Sequence, residues 1–311
     1  MQICRVELRL VGKTTLELPE FAGSTIRGAF GNILRETICV QPNKKCQSCM
    51  LRNHCAYTYL FEGRWHFSSG NQSQSGVPQP FVFEPPTNGQ TRLQGNEIQL
   101  GLLLYGDAIN YLPYFTYCFE RLGQWGLGRN RSRYELDSVR DVFNDYTPIT
   151  KGNTGEIIKR PQTKTWEDYQ SMAVEMGAVT RCQIEMLTPL RVKQGGQLQN
   201  QVNFDLLIRA IIRRWHLLCK YYSFEEYKNI ELTELLNLAR TIPSGTLNLQ
   251  WEERERYSRR QGQRMMMGGM VGIMECGGEL EPFLPWLLLG QDLHVGKNTS
   301  FGLGKYIVKC K

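Results

Sequence analysis

The stretch LLLGQDLHVGKNTSFGLGKYIV, residues 287–308, passes from an apolar segment through a glycine-rich basic loop into an alternating strand. The same order stands in the first half of the chain. There Ile98 to Tyr105 reads as a strand, Ala108 to Leu122 as a helix, Gly126 to Ser132 (GLGRNRS) as the loop, and Tyr134 onward as the next strand. In the second half Met270 to Met274 is the strand, Leu280 to Leu289 the helix, Gly296 to Tyr306 the loop, and Ile307 to Val308 the final strand. A repeated order of elements predicts internal duplication. Each half also opens on a strand, Ile3 to Leu10 and Cys182 to Leu187, followed by an amphipathic helix, which completes two βαββαβ-like units and an α+β chain.

The segment from Phe143 to Glu175 is polar and holds Pro148, Gly152, Gly155 and Pro161, so the boundary is expected near Arg160, between domains 1–160 and 161–311. The chain has 311 residues, 41% hydrophobic and 22% charged, enough to bury a sizeable core. Its 37 Lys+Arg against 30 Asp+Glu give +7, which leans toward polyanionic partners. No apolar run reaches the ~20 residues that span a bilayer, and the opening MQICRVELRL alternates like a strand, so a cytoplasmic protein is expected. Ten cysteines without a secretory signal are expected to be reduced thiols, six of them (Cys4, Cys118, Cys182, Cys219, Cys276 and Cys310) scattered through core and strands.

In the second half, Phe204, Leu207, Ile208, Ile211, Ile212, Trp215, Leu218, Cys219 and Tyr222 recur at helical steps and form one stripe. Arg209, Arg213 and Lys220 fall away from it, on a face that is either simply solvated or turned to phosphates. In the first helix Ile26, Ala29, Phe30, Ile33 and Leu34 make the core stripe, with Gly28, Gly31 and Arg35 on the other side. Exposed helical glycines cost roughly 1 kcal/mol each relative to Ala, so a close approach beside Arg27 and Arg35 is expected, by another backbone or by the other half of the chain.

The loop GKNTSFGLGKY, residues 296–306, offers backbone N–H groups with little side-chain obstruction at Gly296, Gly302 and Gly304. Lys297 and Lys305 flank them, and Asn298, Thr299 and Ser300 add hydrogen-bonding groups, a set suited to phosphate or sugar. It is neither a Walker loop, since Tyr306 stands at the magnesium-binding hydroxyl position, nor a dinucleotide fingerprint, since it leads into a strand. Arginines interleaved with Tyr257 mark Arg259, Arg260 and Arg264 as further nucleic-acid candidates, just ahead of an expected apolar hairpin, Met265 to Cys276. Arg129, Arg131 and Arg133 fit a contact with RNA or with protein equally well. The spacing C-x6-C-x2-C-x5-C of Cys39, Cys46, Cys49 and Cys55 suits a structural Zn²⁺ in an insertion at 39–55, with an iron–sulfur cluster as the alternative and free thiols or a disulfide as the plain reading.

Four stretches together, GSTIRGAFGNILR (23–35), CQSCMLRNHCAYTYLFE (46–62), LPYFTYCFERLGQWGLGRNRSRY (112–134) and LLLGQDLHVGKNTSFGLGKY (287–306), resemble the CRISPR repeat-processing endoribonucleases of the RAMP superfamily, in a subgroup with an N-terminal cysteine cluster. The likeness runs over nearly the whole chain and is most specific in the C-terminal loop. It implies two tandem ferredoxin-like, RNA-recognition-motif-like modules, the second gripping CRISPR repeat RNA with its glycine-rich loop. The implied reaction is metal-independent cleavage of precursor CRISPR RNA, in which the ribose 2′-OH attacks the adjacent phosphate and leaves a 2′,3′-cyclic phosphate and a 5′-OH. The alternative is a non-catalytic RNA-binding subunit seated among other CRISPR effector subunits.

Such chemistry needs a general base, a cation and an acid. Among the four histidines, His54 ranks first, because family members often draw their base from the segment after the first helix, here 38–59. His66 ranks second, between Trp65 and Phe67, and His294 third, just before the loop; His216 has only its position to recommend it. Phe30 and Gly31 stand where some relatives carry a reactive tyrosine.

Overall fold

The structure, a computed structural model, describes residues 1–19, 21–68, 74–86, 92–93, 97–152, 154–223, 232–258 and 262–310. The chain divides into two compact units, one of Met1–Thr163 with Leu217–Phe224 and one of Lys164–His216 with Glu225–Lys311.

In the first unit, β1 (Ile3–Gly12) leads to α1 (Ala22–Ile38), two short helices α2 (Ala56–Phe61) and α3 (Gly63–His66), strands β2 (Phe81–Glu84) and β3 (Glu97–Tyr105), helix α4 (Leu112–Trp125) and strand β4 (Tyr134–Asp141). Alternation in β1 buries Val6, Leu8 and Leu10 on one face. The sheet runs β2-β3-β1-β4, antiparallel throughout, which is the ferredoxin-like order. Its helices meet over an aromatic core in which the Phe30 ring stacks on Phe115 at 4.5 Å and stands edge-on to Phe83 at 5.3 Å. Burying each such ring contributes roughly 1.5–3 kcal/mol.

Gly31 lies inside this core, not on an exposed face. A Cβ there would come within 2.7 Å of the Phe61 ring, so the glycine admits α2 against α1, while Gly28 faces open space. The close approach expected at this helix is therefore a phenylalanine ring of its own unit.

The second unit repeats the plan. Helix α5 (Trp166–Met176) precedes β5 (Arg181–Leu190), α6 (Phe204–Tyr222, of which Phe204 to His216 belong to this unit), α7 (Thr233–Ala239), β6 (Ser244–Glu252), the hairpin β7 (Glu255–Ser258) and β8 (Gln263–Met266), β9 (Gly269–Gly277), α8 (Leu284–Leu293) and β10 (Tyr306–Cys310). The sheet order β6-β9-β5-β10 matches the first unit strand for strand.

Helix α5 begins within the polar interval 143–175, started by the Thr165 N–H donating to Asp168 Oδ2 at 2.7 Å, a capping box that apolar periodicity does not reveal. Two expectations need correction here. The stretch Met265 to Cys276 is no hairpin, because β8 pairs with β7 while β9 joins the main sheet. Cys182 and Cys310 are opposed on neighbouring strands and joined in a disulfide, so the thiols are not all reduced.

Duplication extends to side chains. Tyr134, opening β4, donates its hydroxyl to Phe119 O of α4 at 2.8 Å, and Tyr306, opening β10, donates to Leu287 O of α8 at 2.8 Å. Burial pushes both phenols well above their usual range. A Cβ on Gly123 or Gly290 would strike the tyrosine of its own unit.

Candidate functional site

In the second unit the C-terminal loop is folded inward. Gly296, Asn298, Gly302 and Gly304 all take left-handed backbone, and Thr299 to Gly304 are buried. A Cβ on Gly304 would run into Val295 O and one on Gly296 into Arg191 O, so these glycines serve close backbone packing. The N–H groups of Lys297, Phe301, Gly302, Gly304 and Lys305 bond within the unit, to Arg191 O, Asn298 O, Thr299 O, Pro189 O and Thr188 Oγ1. The expected open row of donors is thus largely engaged. His294, at the end of α8, is fully buried in left-handed backbone with Nδ1 3.1 Å from Leu303 O, where it holds the loop from inside.

What this loop presents outward is charge. The bridge between Arg191 and Gly296 lays the segment carrying Lys193 beside the one carrying Lys297. Lys193, Arg213 and Lys297 are all exposed. Partial desolvation, together with Arg213 and Lys193, pushes the Lys297 ammonium below its usual pKa. Two cations beside a third make a patch whose charge suits a polyanion. Lys193 was not among the sequence candidates, since nothing in its spacing ties it to a loop a hundred residues on.

The hairpin borders the same loop. Arg256 lies over the Phe301 ring at 4.6 Å, and Asn298 Nδ2 donates to Met267 Sδ at 3.4 Å. Arg264, exposed, pairs with Glu255 at 3.1 Å. Arg209 is held by Asp205 at 2.7 Å, one turn away on α6. Arg259 and Arg260 lie outside the described residues.

In the first unit, α2 and α3 build a second chemical centre. The Asn53 side chain donates to His66 O at 2.7 Å, and Thr58 Oγ1 donates to Cys55 O at 2.8 Å. His66 Nδ1 is 3.0 Å from Arg52 O and 3.3 Å from Thr58 Oγ1. A carbonyl can only accept, so Nδ1 carries the proton and Nε2 keeps its lone pair. The ring stands edge-on to Tyr59 at 5.1 Å and Phe67 at 4.8 Å, and burial, opposed by the Arg52 carbonyl and aided by His54, lowers its pKa from the usual histidine range. The lowered pKa favours the neutral ring, and the Nδ1 contact orients it, as a general base requires. His54 is exposed near it, with no side-chain hydrogen bond among the described residues.

Beside this ring the hydroxyl of Tyr59, on a side chain 9% exposed, is buried without a partner among the described residues. Arg27 lies over Phe61 of α2 at 4.5 Å, while Arg35 donates to Pro42 O at 3.3 Å and to Lys44 O at 3.4 Å and so braces the cysteine segment. Among the described residues no three His, Cys, Asp or Glu side chains are placed to hold a metal ion. Cys46 feels the charges of Cys39 and Cys55, and Cys49 Sγ donates to Gln41 Oε1 at 3.7 Å. Among the described residues no helix is long and apolar enough to cross a membrane.

Residues 1–163 match a family profile described as an N-terminal domain. Residues 184–306 match that of the CRISPR-associated endoribonuclease Cas6. An uncharacterized protein of Archaeoglobus fulgidus is 26% identical over 318 residues, covering 99% of this chain and 98% of that one. A solved Cas6 product complex has a TM-score of 0.60 at 17% identity, over 99% of this chain and 100% of the other. Thermus thermophilus Cas6 gives 0.56 at 16% identity, over 99% and 98%. A partial Cas6-RT-Cas1–Cas2 complex gives 0.61 at 14% identity, over 100% of this chain and 46% of that one. At these identities the structural likeness carries the fold, and the two profiles carry the kinship. Residues 184–306 thus match the Cas6 endoribonuclease model, and the whole chain shares the tandem fold of the solved Cas6 structures.

Proposed function

We propose that the chain cleaves precursor CRISPR RNA within its repeats by metal-independent transesterification. The single observation that carries this reading is His66, a neutral imidazole held through Nδ1 with Nε2 unengaged among the described residues. Nε2 takes the proton of the 2′-OH as the 2′-oxygen attacks the adjacent phosphorus. The bond to the 5′-oxygen breaks, that oxygen takes a proton from water or an acid group, and the products are a 2′,3′-cyclic phosphate and a 5′-OH. His54 is the second proton-transfer candidate in that unit. In the other unit Lys193, Arg213 and Lys297 bind phosphates of the repeat. The kinship with Cas6 supports CRISPR RNA as the substrate and other CRISPR proteins as partners.

Single-turnover cleavage of a repeat RNA tests this. His66→Ala is expected to slow the reaction by ~10²-fold or more, with His54→Ala less affected and His294→Ala unstable because it empties a buried site. Because the base must be neutral and its pKa is lowered, the acid limb of the rate profile is expected below the usual histidine range. A wild-type rate in His66→Ala would refute the assignment. A second reading, a non-catalytic subunit that holds CRISPR RNA in an effector complex, is favoured by Phe30 and Gly31, both buried in α1 and offering no hydroxyl.

A further inference from the structure

The outer face of α4 is unlike a solvated helix face. Inward the helix buries Leu112, Phe115, Cys118, Phe119 and Leu122. Outward it carries Tyr114, Tyr117, Arg121 and Trp125, at steps of three and four that align them over about 16 Å. The three rings are 41%, 47% and 51% exposed, a large aromatic area to leave in water. Arg121 lies over both Tyr117, at 5.9 Å, and Trp125, at 5.3 Å, and is anchored by donating from Nη1 to Thr37 Oγ1 at 3.2 Å. Tyr111, its ring 6.0 Å from that of Tyr114, continues the line at its start.

Two features decide what covers this face. The rings are interleaved with a guanidinium already held in stacking position, and the line ends where the loop after α4 exposes Arg129, Arg131 and Arg133. Glu120, the one carboxylate on the helix, lies against Gly155. Flat π-faces in series, leading to cations, suit successive bases and their phosphates, since every base has a face to stack and no hydrogen-bond code is needed.

We propose that this face of α4 is a track for single-stranded RNA, with bases stacked on Tyr114, Tyr117 and Trp125 and the phosphates drawn to the three arginines. The inference rests on the RNA reading above and extends it to single-stranded RNA continuous with the repeat.

The test compares three RNAs by fluorescence anisotropy: the repeat alone, the repeat with an oligouridine extension at either end, and oligouridine alone. For Tyr117→Ala/Trp125→Ala, affinity for one extended RNA and for oligouridine is expected to fall by ~10-fold or more, a loss of roughly 1.4 kcal/mol. Affinity for the bare repeat and its cleavage rate stay unchanged. Tyr117→Leu/Trp125→Leu keeps the apolar bulk without the π-faces and is expected to show the same loss, whereas Trp125→Phe retains most of the binding. If the wild type neither binds nor cuts the repeat, the function proposed above fails, and the oligouridine arm still judges the track. Equal affinity of wild type and double variants for oligouridine and both extended RNAs would overturn the proposal. Loss of self-association in the variants with RNA affinity intact would overturn it in favour of a protein partner.

Discussion

The two glycine-rich loops follow helices of the same kind, end in a tyrosine whose hydroxyl returns to the preceding helix at 2.8 Å, and have opposite exposures. The first, Gly126 to Ser132, is a short turn closed by Leu127 and Ser132, whose N–H groups each donate to the other's carbonyl at 2.9 Å, and it leaves Arg129 and Arg131 in solvent. The second winds through a 3-10 turn at Thr299–Phe301, is buried from Thr299 to Gly304, and carries Lys297 outward beside Lys193 and Arg213. In the one, the loop bears its own charge. In the other, the loop is a brace that gathers charge from elsewhere in its unit.

The sharpest way to break this contrast is Gly304→Ala. Its left-handed backbone and the clash of a Cβ with Val295 O are expected to cost ~3 kcal/mol or more in thermal unfolding. Gly128→Ala, also left-handed but in the exposed loop, should cost only about 1–2 kcal/mol. Equal costs would mean that the second loop is not the brace described. Next in size, Lys297→Ala and Arg213→Ala should each weaken repeat-RNA binding about 10-fold and each lower the salt slope by about one, with Arg129→Ala leaving the bare repeat's affinity unchanged. The smallest effect sharpens the likeness. Tyr134→Phe and Tyr306→Phe each remove a buried hydroxyl donor to a helix carbonyl and should each cost ~1 kcal/mol, read as matched shifts in unfolding midpoint.

Much of the architecture was legible because it is written in local periodicity. The strands at Ile3, Ile98 and Cys182 and the helix from Phe204 to Tyr222 lie close to where alternation and helical steps place them. Helix α5 was not, because its signal is a single Thr165–Asp168 cap within a polar stretch. The site was legible in part. Glycine content predicted an open loop, yet the left-handed glycines of this loop admit its own backbone, a distinction set by packing rather than composition. His66 ranked below His54 on position, and only folding supplies the Arg52 carbonyl and the aromatic walls that orient it. Lys193 and the outer line of α4 went unnoticed because charge gathered from distant segments, and rings left exposed, are properties of the fold.

The most direct measurement is the chemistry of the RNA ends produced by the purified chain on a repeat RNA in EDTA. One cut per repeat, with a 2′,3′-cyclic phosphate on one fragment and a 5′-OH on the other, and no cut with His66→Ala, is the result this account predicts. Tight binding of the repeat without cleavage, or fragments bearing a 3′-OH and a 5′-phosphate, would contradict it.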